Sequence, residues 1–435
     1  RGPMLTVPVP SPTPAAPIPM RVALFTNEYP PHVYGGAGVH VEYLARELAA
    51  AEGGAHEVAV HCFGEQHEDA GPRGNLRVRG VPAPPPVPAA DPRHARFLDA
   101  LARDLAMAGA AEQPFGGAPD VVHCHTWYSH LAGCLARPLA GAKLVLTTHS
   151  LEPHRPWKVE QLGTAYHATT WVERTAYQNA DGVVAVSRAM RDDVSALYDV
   201  DPARVRVIHN GIDPDEYRPV DAPDVLRRLG VDPDVPFVLF VGRITRQKGI
   251  LHLVRALRHL EPGPAGLQVV LCAGAPDTPE IGAEMRALVD DARRDSRARV
   301  VWLDQMLPKA DVIPLYSAAA AFVCPSVYEP FGIINLEAMA CETPVVASAV
   351  GGIPEIVVDG ETGVLVPFEA LGGGDPEPAD AEGFSRALAA AVNALLADDA
   401  GRRAMGRAAR ARVLDHFSWR AIAGQTLEFY RALVS

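Results

Sequence analysis

The sequence is poor in cysteine, in positive charge and in long apolar runs. Its six cysteines are scattered and none forms a C-x-x-C pair, so neither a disulfide framework nor a zinc knuckle is indicated. We therefore expect a reducing, cytoplasmic compartment. The formal net charge of −12 argues against general binding to nucleic acid or to a bilayer surface. No apolar run reaches the roughly 18–20 residues needed to span a membrane.

The first residues also lack the pattern of a secretion signal. A positively charged stretch followed by an apolar one is missing, and residues 1–19 contain seven prolines with few large apolar groups. Such a segment cannot build a core, so we predict a flexible, proline-rich tail over 1–19. Met20 fits as the native start.

The composition of the remaining chain is suited to large buried cores. The 435 residues are 48% hydrophobic and 21% charged, which fits a soluble protein with two domains of ordinary size. Short apolar runs alternate with helical segments, and this alternation predicts an α/β fold with doubly wound parallel sheets. The runs are too many for one open sheet. They are residues 21–26, 57–63, 76–81, 120–123, 143–148, 182–186, 205–208, 237–241, 267–273, 299–303, 319–324, 344–347 and 363–366.

The predicted break between the two domains follows Asp213. Proline and aspartate become frequent from there to Pro236, as in a connecting segment. We therefore predict an N-terminal domain at 20–213, a C-terminal domain at 214–417 and a final helix at 418–435.

One stretch, residues 326–342, follows a run that reads as a buried parallel strand, Ala319–Cys324. Apolar residues at helical spacing begin right after Gly332. The order of strand, loop and helix exposes the backbone amides of Phe331, Gly332 and Ile333 at a helix N-terminus. An anion or a polar ligand is favoured at such a position.

Two glutamates frame this turn. Glu329 lies in the loop and Glu337 in the new helix, eight positions apart. A carboxylate that points past a phosphate can accept hydrogen bonds from sugar hydroxyls, so both are candidate sugar-binding residues. The alternative is that Glu329 only stabilises the turn and that Glu337 lies on a solvated face.

Two cations follow the first strand of the second half. Arg243 and Lys248 lie in the segment G-R-I-T-R-Q-K-G, at the carboxyl edge where open α/β sheets bind ligands. The planar arginine fork and the compact lysine charge suit a pyrophosphate group. The alternative is a solvated basic loop, and Arg246 is the member expected to face solvent.

The first half offers candidates at its own strand ends. Gly36 lies in a glycine turn after the first strand, where a phosphate could approach the backbone, although an ordinary tight turn has the same pattern. His149 ends another strand, a position that favours function. His123 and His125 could share a strand face, but nothing nearby completes a metal site. We expect a packed or sugar-contacting histidine there.

A short cationic segment follows His149. Arg155 and Lys158 could receive the phosphate of a sugar phosphate while Trp157 packs on its ring, or all three could coat a helix surface. The D-x-D pairs of this acidic chain lie in unconvincing loop contexts. We therefore predict neither a catalytic metal nor a cofactor.

The segment from Glu329 to Glu337, E-P-F-G-I-I-N-L-E, resembles the E-x7-E signature of the retaining family-4 glycosyltransferases. The resemblance extends from about Met20 to the C-terminus. It implies two Rossmann-like domains facing across a cleft, the B-type architecture, with the last helix crossing back onto the first domain. It also implies that Arg243 and Lys248 hold a nucleotide diphosphate and that His149 contacts the donor sugar.

Within that family the chain resembles glycogen synthase-like enzymes that make maltose 1-phosphate. The resemblance implies transfer of glucose from ADP-glucose to glucose 1-phosphate, with retention of configuration and Glu337 on the ribose. Bacterial glycogen synthases carry a lysine where Val33 stands and an aspartate where Thr126 stands. This departure puts simple glucan elongation in doubt and adds Thr126 to the predicted acceptor site.

Three alternatives stay open at this point. The first is a glycogen synthase that elongates α-glucan from ADP-glucose or UDP-glucose. The second is a phosphorylase-like enzyme, which would need pyridoxal phosphate, and the third is a non-catalytic nucleotide-sugar sensor. A homodimer is as compatible with the sequence as a monomer.

Overall fold

The structure is a computed structural model that describes residues 18–33, 35–372 and 375–435. Residues 1–17 of the predicted tail lie outside the described residues. Ile18 and Pro19 are exposed, and Met20 is buried at the start of the first sheet.

The first half of the chain forms an eight-stranded sheet with helices around it. The strand order is β3-β4-β2-β1-β5-β6-β7-β8, parallel throughout except for the antiparallel pair of β3 and β4. The strands are β1 Arg21–Phe25, β2 Glu57–Phe63, β3 His67–Ala70, β4 Leu76–Val81, β5 Val121–His125, β6 Lys143–Thr148, β7 Gly182–Ala185 and β8 Val205–Val207. The helices are α1 Gly36–Gly54, α2 Ala95–Ala110, α3 His130–Ala140, α4 Val159–Leu162, α5 Ala165–Asn179 and α6 Arg188–Tyr198.

The second half forms a six-stranded parallel sheet, in the order β11-β10-β9-β12-β13-β14, and a separate hairpin of β15 and β16. The strands are β9 Phe237–Arg243, β10 Gln268–Gly274, β11 Arg299–Leu303, β12 Ala321–Cys324, β13 Val345–Ser348, β14 Gly363–Val366, β15 Ala370–Gly372 and β16 Asp375–Pro378. The helices are α7 Pro223–Arg228, α8 Ile250–Ala256, α9 Pro279–Asp295, α10 Lys309–Ala318, α11 Ile333–Ala340, α12 Ile353–Ile356, α13 Ala381–Ala397, α14 Asp399–His416 and α15 Trp419–Val434.

The central strands are apolar because helices cover both faces of each sheet. Every residue of β5, β10 and β12 is buried. β10 after Gln268 and all of β12 are continuous apolar runs, whereas β5 also buries His123 and His125. The expected fold of two parallel Rossmann-like sheets is confirmed, and each predicted run forms a strand.

Sequence analysis missed three strands and overestimated how uniformly parallel the sheets are. The polar edge strand β3 has the sequence H-E-D-A and is largely exposed, so it carries no apolar signal. The hairpin of β15 and β16 is equally short, and β15 is exposed along its length. The predicted domain boundaries stay predictions.

Each sheet has one point at which the strand order reverses. In the first sheet it lies between β1 and β5, and in the second between β9 and β12. Ligands bind in the crevice beyond the carboxyl ends of strands at such points. The two crevices therefore define where a site is expected.

The two halves contact each other at these crevices. The backbone N–H of Leu151 donates to the hydroxyl of Tyr328 (3.2 Å), and the hydroxyl of Ser187 donates to the carbonyl of Pro330 (2.8 Å). A Cβ placed on Gly36 would lie 3.7 Å from the side chain of Ile333. The loop after β12 therefore lies against the strand ends of the first half.

The last helix returns to the first half. Trp419 of α15 stacks on Tyr43 of α1, with ring centroids 5.6 Å apart, and the ring of Tyr430 lies beside His123. Among the described residues, no helix combines the length and the apolar character needed to cross a bilayer.

Candidate active site

The paired cations of the second half meet the loop after β12. Arg243 is the last residue of β9, and Lys248 follows in a tight turn that ends at Gly249. Gly249 has φ of +60°, and a Cβ there would lie 1.9 Å from the carbonyl oxygen of Pro325. Only glycine permits this approach, and it places Lys248 next to Glu329, whose carboxylate oxygen lies 2.6 Å from the lysine Nζ.

Glu329 is held from several sides. The hydroxyl of Ser326 donates to its carboxylate (3.1 Å), and the backbone N–H of Gly352 donates to its carbonyl (2.9 Å). Gly351, with φ of +56°, lies so close that a Cβ would meet the Glu329 carbonyl at 2.0 Å. Sequence analysis missed this support, although the pair Gly351-Gly352 in the loop after a predicted strand was a usable signal.

Helix α11 begins where the sequence predicted. Gly332 precedes it with φ of +105°, and a Cβ there would lie 2.6 Å from the side-chain nitrogen Nδ2 of Asn335. Phe331 is buried and Ile333 is partly exposed toward Gly36. The amides of 331–333 therefore lie at the helix N-terminus, between the two halves, where the helix dipole favours an anion.

Glu337 lies one turn into α11 and is hydrogen-bonded rather than solvated. The hydroxyl of Tyr316 donates to its carboxylate (2.9 Å), and Tyr217 is a second hydrogen-bond donor. Burial raises the pKa of Glu337 to about 7, while the two phenols oppose this shift. The alternative of a solvated surface glutamate is wrong.

Arg243 is bound by an acidic residue that sequence analysis did not select. The guanidinium donates to the carboxylate of Asp277 (2.6 Å), and both side chains are largely buried. The side chain of Gln161, from the first half, donates to the backbone carbonyl of Asp277 (3.2 Å). Lys158 in turn donates to the amide oxygen of Gln161 (3.3 Å). A chain of contacts thus crosses the cleft from Lys158 to Arg243.

The three residues of the predicted acceptor segment, Arg155, Trp157 and Lys158, lie in different environments. Arg155 faces Glu152, a buried carboxylate 3.3 Å away, and the hydroxyl of Ser150 at the same distance. Burial, with a contribution from the charge of Arg155, lowers the pKa of Lys158 to about 7. Trp157 lines a small pocket between the halves together with Gln161 and Asp277.

The strand ends of the first half bring Thr126 to the opposite side of the cleft. Thr126 follows β5 with φ of +70°, a conformation that β-branched residues rarely adopt. Its hydroxyl donates to the side-chain oxygen of Asn27, after β1 (2.9 Å). Backbone strain of this kind concentrates at functional sites.

Four histidines meet behind this edge. Nδ1 of His125 lies 3.0 Å from Nε2 of His149, and Nδ1 of His40 lies 2.7 Å from the side-chain oxygen of Asn210. His123 is a packed histidine, with hydrogen bonds to Tyr430 (2.6 Å) and Thr147 (2.7 Å). Sequence analysis did not foresee that His40 and His149 lie beside His125, because His40 comes from a helix distant in sequence and gave no local signal.

Known families match both halves of the chain. Residues 34–216 match Glycosyltransferase Family 4, and residues 235–398 match Glycosyl transferases group 1. The alpha-maltose-1-phosphate synthase of Mycolicibacterium smegmatis is 50% identical over 416 residues, which cover 95% of this chain and 99% of that protein. The glycogen synthase of Mycobacterium tuberculosis is 33% identical over 95% of each chain.

A solved structure shares the architecture. Sucrose-phosphate synthase from Thermosynechococcus elongatus is 30% identical, and the match covers 95% of this chain and 99% of that one with a TM-score of 0.74. The two sheets, the site at their switch points and these relatives lead to one conclusion. The chain belongs to glycosyltransferase family 4, has the B-type fold of two Rossmann-like domains and is a hexosyltransferase.

Proposed function

We propose that this enzyme transfers glucose from ADP-glucose to glucose 1-phosphate, with retention of the α configuration, and releases maltose 1-phosphate and ADP. The observation that carries the proposal is the partly buried Lys158, which lies across the cleft from Arg243 and is linked to it through Gln161 and Asp277. Lys158 is a basic side chain on the side of the cleft opposite Arg243 and Lys248, so it suits an acceptor that carries a phosphate group. The 50% identical relative, which is named for the synthesis of maltose 1-phosphate, supports the same product.

The donor site follows from the charges at the ends of β9 and β12. Arg243, Lys248 and the amides of 331–333 would bind the diphosphate and stabilise the negative charge that develops as it leaves. The carboxylate of Glu329, held by Lys248 and Ser326, is positioned to accept hydrogen bonds from the donor sugar.

Glu337 would hold the ribose from inside α11. Its two phenol partners leave carboxylate lone pairs for the ribose hydroxyls. With a pKa near 7, it could either accept from these hydroxyls or, when protonated, donate to one of them.

Transfer exchanges one bond for another on the same face of the sugar. The bond between C1 of glucose and the β-phosphate oxygen breaks, and C1 bonds to the acceptor hydroxyl oxygen. The acceptor proton passes to the departing phosphate, so no protein base is required. His149 would contact the donor sugar, and closure of the halves would exclude water.

A matrix of donors and acceptors tests the proposal. ADP-glucose and UDP-glucose are each offered with glucose 1-phosphate and with glycogen, and the products are scored as disaccharide phosphate or as longer glucan. We expect ADP-glucose with glucose 1-phosphate to give the highest kcat/KM. Faster extension of glycogen would overturn the proposed acceptor in favour of a glycogen synthase, which the 33% identical relative represents. Donor binding without turnover would indicate a sensor.

A further inference from the structure

Three histidines from distant parts of the chain form a compact cluster behind the cleft. His40 lies in α1, His125 ends β5 and His149 directly follows β6. One ring nitrogen of each lies within 4.8 Å of those of the other two. His40 and His125 are buried, and His149 is partly exposed.

The surroundings of His40 determine which of its nitrogens carries the proton. Nδ1 lies 2.7 Å from the side-chain oxygen of Asn210, whereas Nε2 is buried and has no hydrogen-bond partner among the described residues. A proton on Nε2 would be a buried donor without an acceptor, which costs about 1–3 kcal/mol. Nδ1–H therefore donates to Asn210, and Nε2 keeps its lone pair.

The same reasoning applies to His125. Its Nδ1 lies 3.0 Å from Nε2 of His149, and its own Nε2 is buried without a partner in the described part of the chain. Placing the proton on Nδ1 satisfies this donor, since Nε2 of His149 then accepts it. All three Nε2 atoms consequently carry lone pairs.

The three rings are ready to bind a cation without losing a proton. Metal-binding imidazoles typically donate their second N–H to an oxygen acceptor that orients the ring. Asn210 supplies such an acceptor for His40.

We propose that His40, His125 and His149 form a binding site for a divalent cation of the Zn²⁺ class, entered from the cleft at His149. Three imidazoles and one solvent ligand complete a tetrahedral shell with metal–nitrogen distances of about 2.0–2.1 Å. Mg²⁺ is excluded because it prefers oxygen ligands.

Occupation of this site inhibits glucosyl transfer. The cation takes the Nε2 lone pair of His149, which breaks the hydrogen bond from His125 and turns the ring away from the donor sugar. This consequence for activity rests on the proposed function, whereas cation binding does not. Taken together, the two proposals describe a transferase that needs no metal for catalysis and is inhibited when a cation binds to the histidines.

Cobalt titration of the full chain tests the binding directly. After treatment with a chelator, Co²⁺ is added and the visible absorption of tetrahedral cobalt is followed. We expect saturation at one equivalent, displacement by Zn²⁺ and no competition from Mg²⁺. X-ray absorption of the Zn²⁺ form should give about three nitrogen ligands at about 2.0–2.1 Å. Absence of the tetrahedral bands, or a shell with a single nitrogen, overturns the proposal.

Matched variants locate the site. His40→Gln should weaken Co²⁺ binding at least tenfold. His61→Gln is the control, because His61 is also buried with both ring nitrogens unpartnered among the described residues, yet it lies outside the cluster. His416→Gln controls for binding at an exposed histidine. Loss of binding in either control, or retained binding in a folded His40→Gln protein, overturns the assignment, and if that variant fails to fold the X-ray absorption of the unmodified protein decides.

Loss of Zn²⁺ inhibition in His40→Gln would connect the site to activity. Should the protein bind Co²⁺ as expected but transfer no glucose to any acceptor, the proposed function fails and the cation site stands. Should it transfer glucose but bind no Co²⁺, the cation site fails and the proposed function stands.

Discussion

The donor edge and the acceptor segment of the cleft differ in how their residues come together. At the donor edge, Lys248 and Glu329 are 81 positions apart in sequence and end 2.6 Å apart. In the acceptor segment, Arg155, Trp157 and Lys158 are nearly adjacent, yet each has a different environment. Arg155 faces the buried Glu152, Trp157 lines the pocket between the halves, and Lys158 bonds to Gln161.

This difference shows that neighbours in sequence do not make a site, whereas neighbouring strand ends do. Parallel strands deliver their carboxyl ends to the same edge, so residues after β9 and β12 converge regardless of separation along the chain. The acceptor segment consists of two short 3₁₀ helices, Glu152–His154 and Pro156–Lys158, joined at Arg155, whose backbone is not helical. Its side chains therefore enter different environments.

The largest effect should come from the donor edge. Lys248→Ala, which removes a charge beside the leaving diphosphate, should lower kcat/KM by about 10²–10³ while the protein stays folded. Steady-state kinetics and circular dichroism measure the two quantities. Arg297→Ala, which removes an exposed arginine from the loop before β11, is the control and should stay near normal. Equal losses in both variants would contradict the assignment of Lys248 to the phosphate.

On the acceptor side, Lys158→Met should raise the KM for glucose 1-phosphate by roughly ten- to a hundredfold, since charge-assisted hydrogen bonds contribute about 1.5–3 kcal/mol. The KM for ADP-glucose should change little. Lys143→Met serves as the control, because Lys143 begins β6 at the opposite end of the sheet. An unchanged acceptor KM would remove Lys158 from the acceptor site.

Arg155 is expected to contribute to the stability of the fold, in contrast to Lys158, which is expected to bind the acceptor. Arg155→Ala leaves the buried carboxylate of Glu152 without its cationic neighbour and should cost about 1–3 kcal/mol. At about 2–4 °C per kcal/mol, the melting temperature should fall by several degrees. Calorimetry of Arg155→Ala and Lys158→Met compares the two positions. A greater loss of stability in Lys158→Met would reverse the division of roles.

The lowered pKa of Lys158 predicts a proton uptake on acceptor binding. With a pKa of about 7 before an acceptor binds, the amine of Lys158 is mostly neutral at pH 8, and a bound phosphate raises its pKa. Binding of glucose 1-phosphate at pH 8 should therefore be accompanied by uptake of a fraction of a proton by Lys158. The affinity for glucose 1-phosphate should fall as the pH rises above 7. Calorimetry in buffers of different ionisation enthalpy measures this uptake. It should vanish in Lys158→Met, and uptake that persists there would exclude Lys158 as its source.

The smallest expected effect is that of chelators. EDTA should leave transfer unchanged, because no D-x-D pair of the sequence lies in a convincing metal-binding context. The assay is run in metal-depleted buffer with and without added Mg²⁺ or Mn²⁺. Activity that disappears with EDTA and returns with either ion would contradict a metal-independent transfer.

The sequence by itself determined the buried parallel strands, the two-sheet class and the donor motif, but not the short polar strands β3, β15 and β16. Apolar runs mark buried strands because both faces of each are covered, and Glu329 to Glu337 lie on one continuous loop and helix whose geometry is local. The family resemblance rested on the same local segment and was confirmed by the relatives.

Only the tertiary structure decided which distant residues meet. Local periodicity does not reveal the order of strands in a sheet. The sequence therefore gave no sign that Arg243 would pair with Asp277 or that Gly351 would contact Glu329. The histidine cluster is the clearest case, since His40 reaches His125 only because α1 packs beside the ends of β5 and β6. Local patterns report which surfaces must be buried, and long-range packing determines what they are buried against.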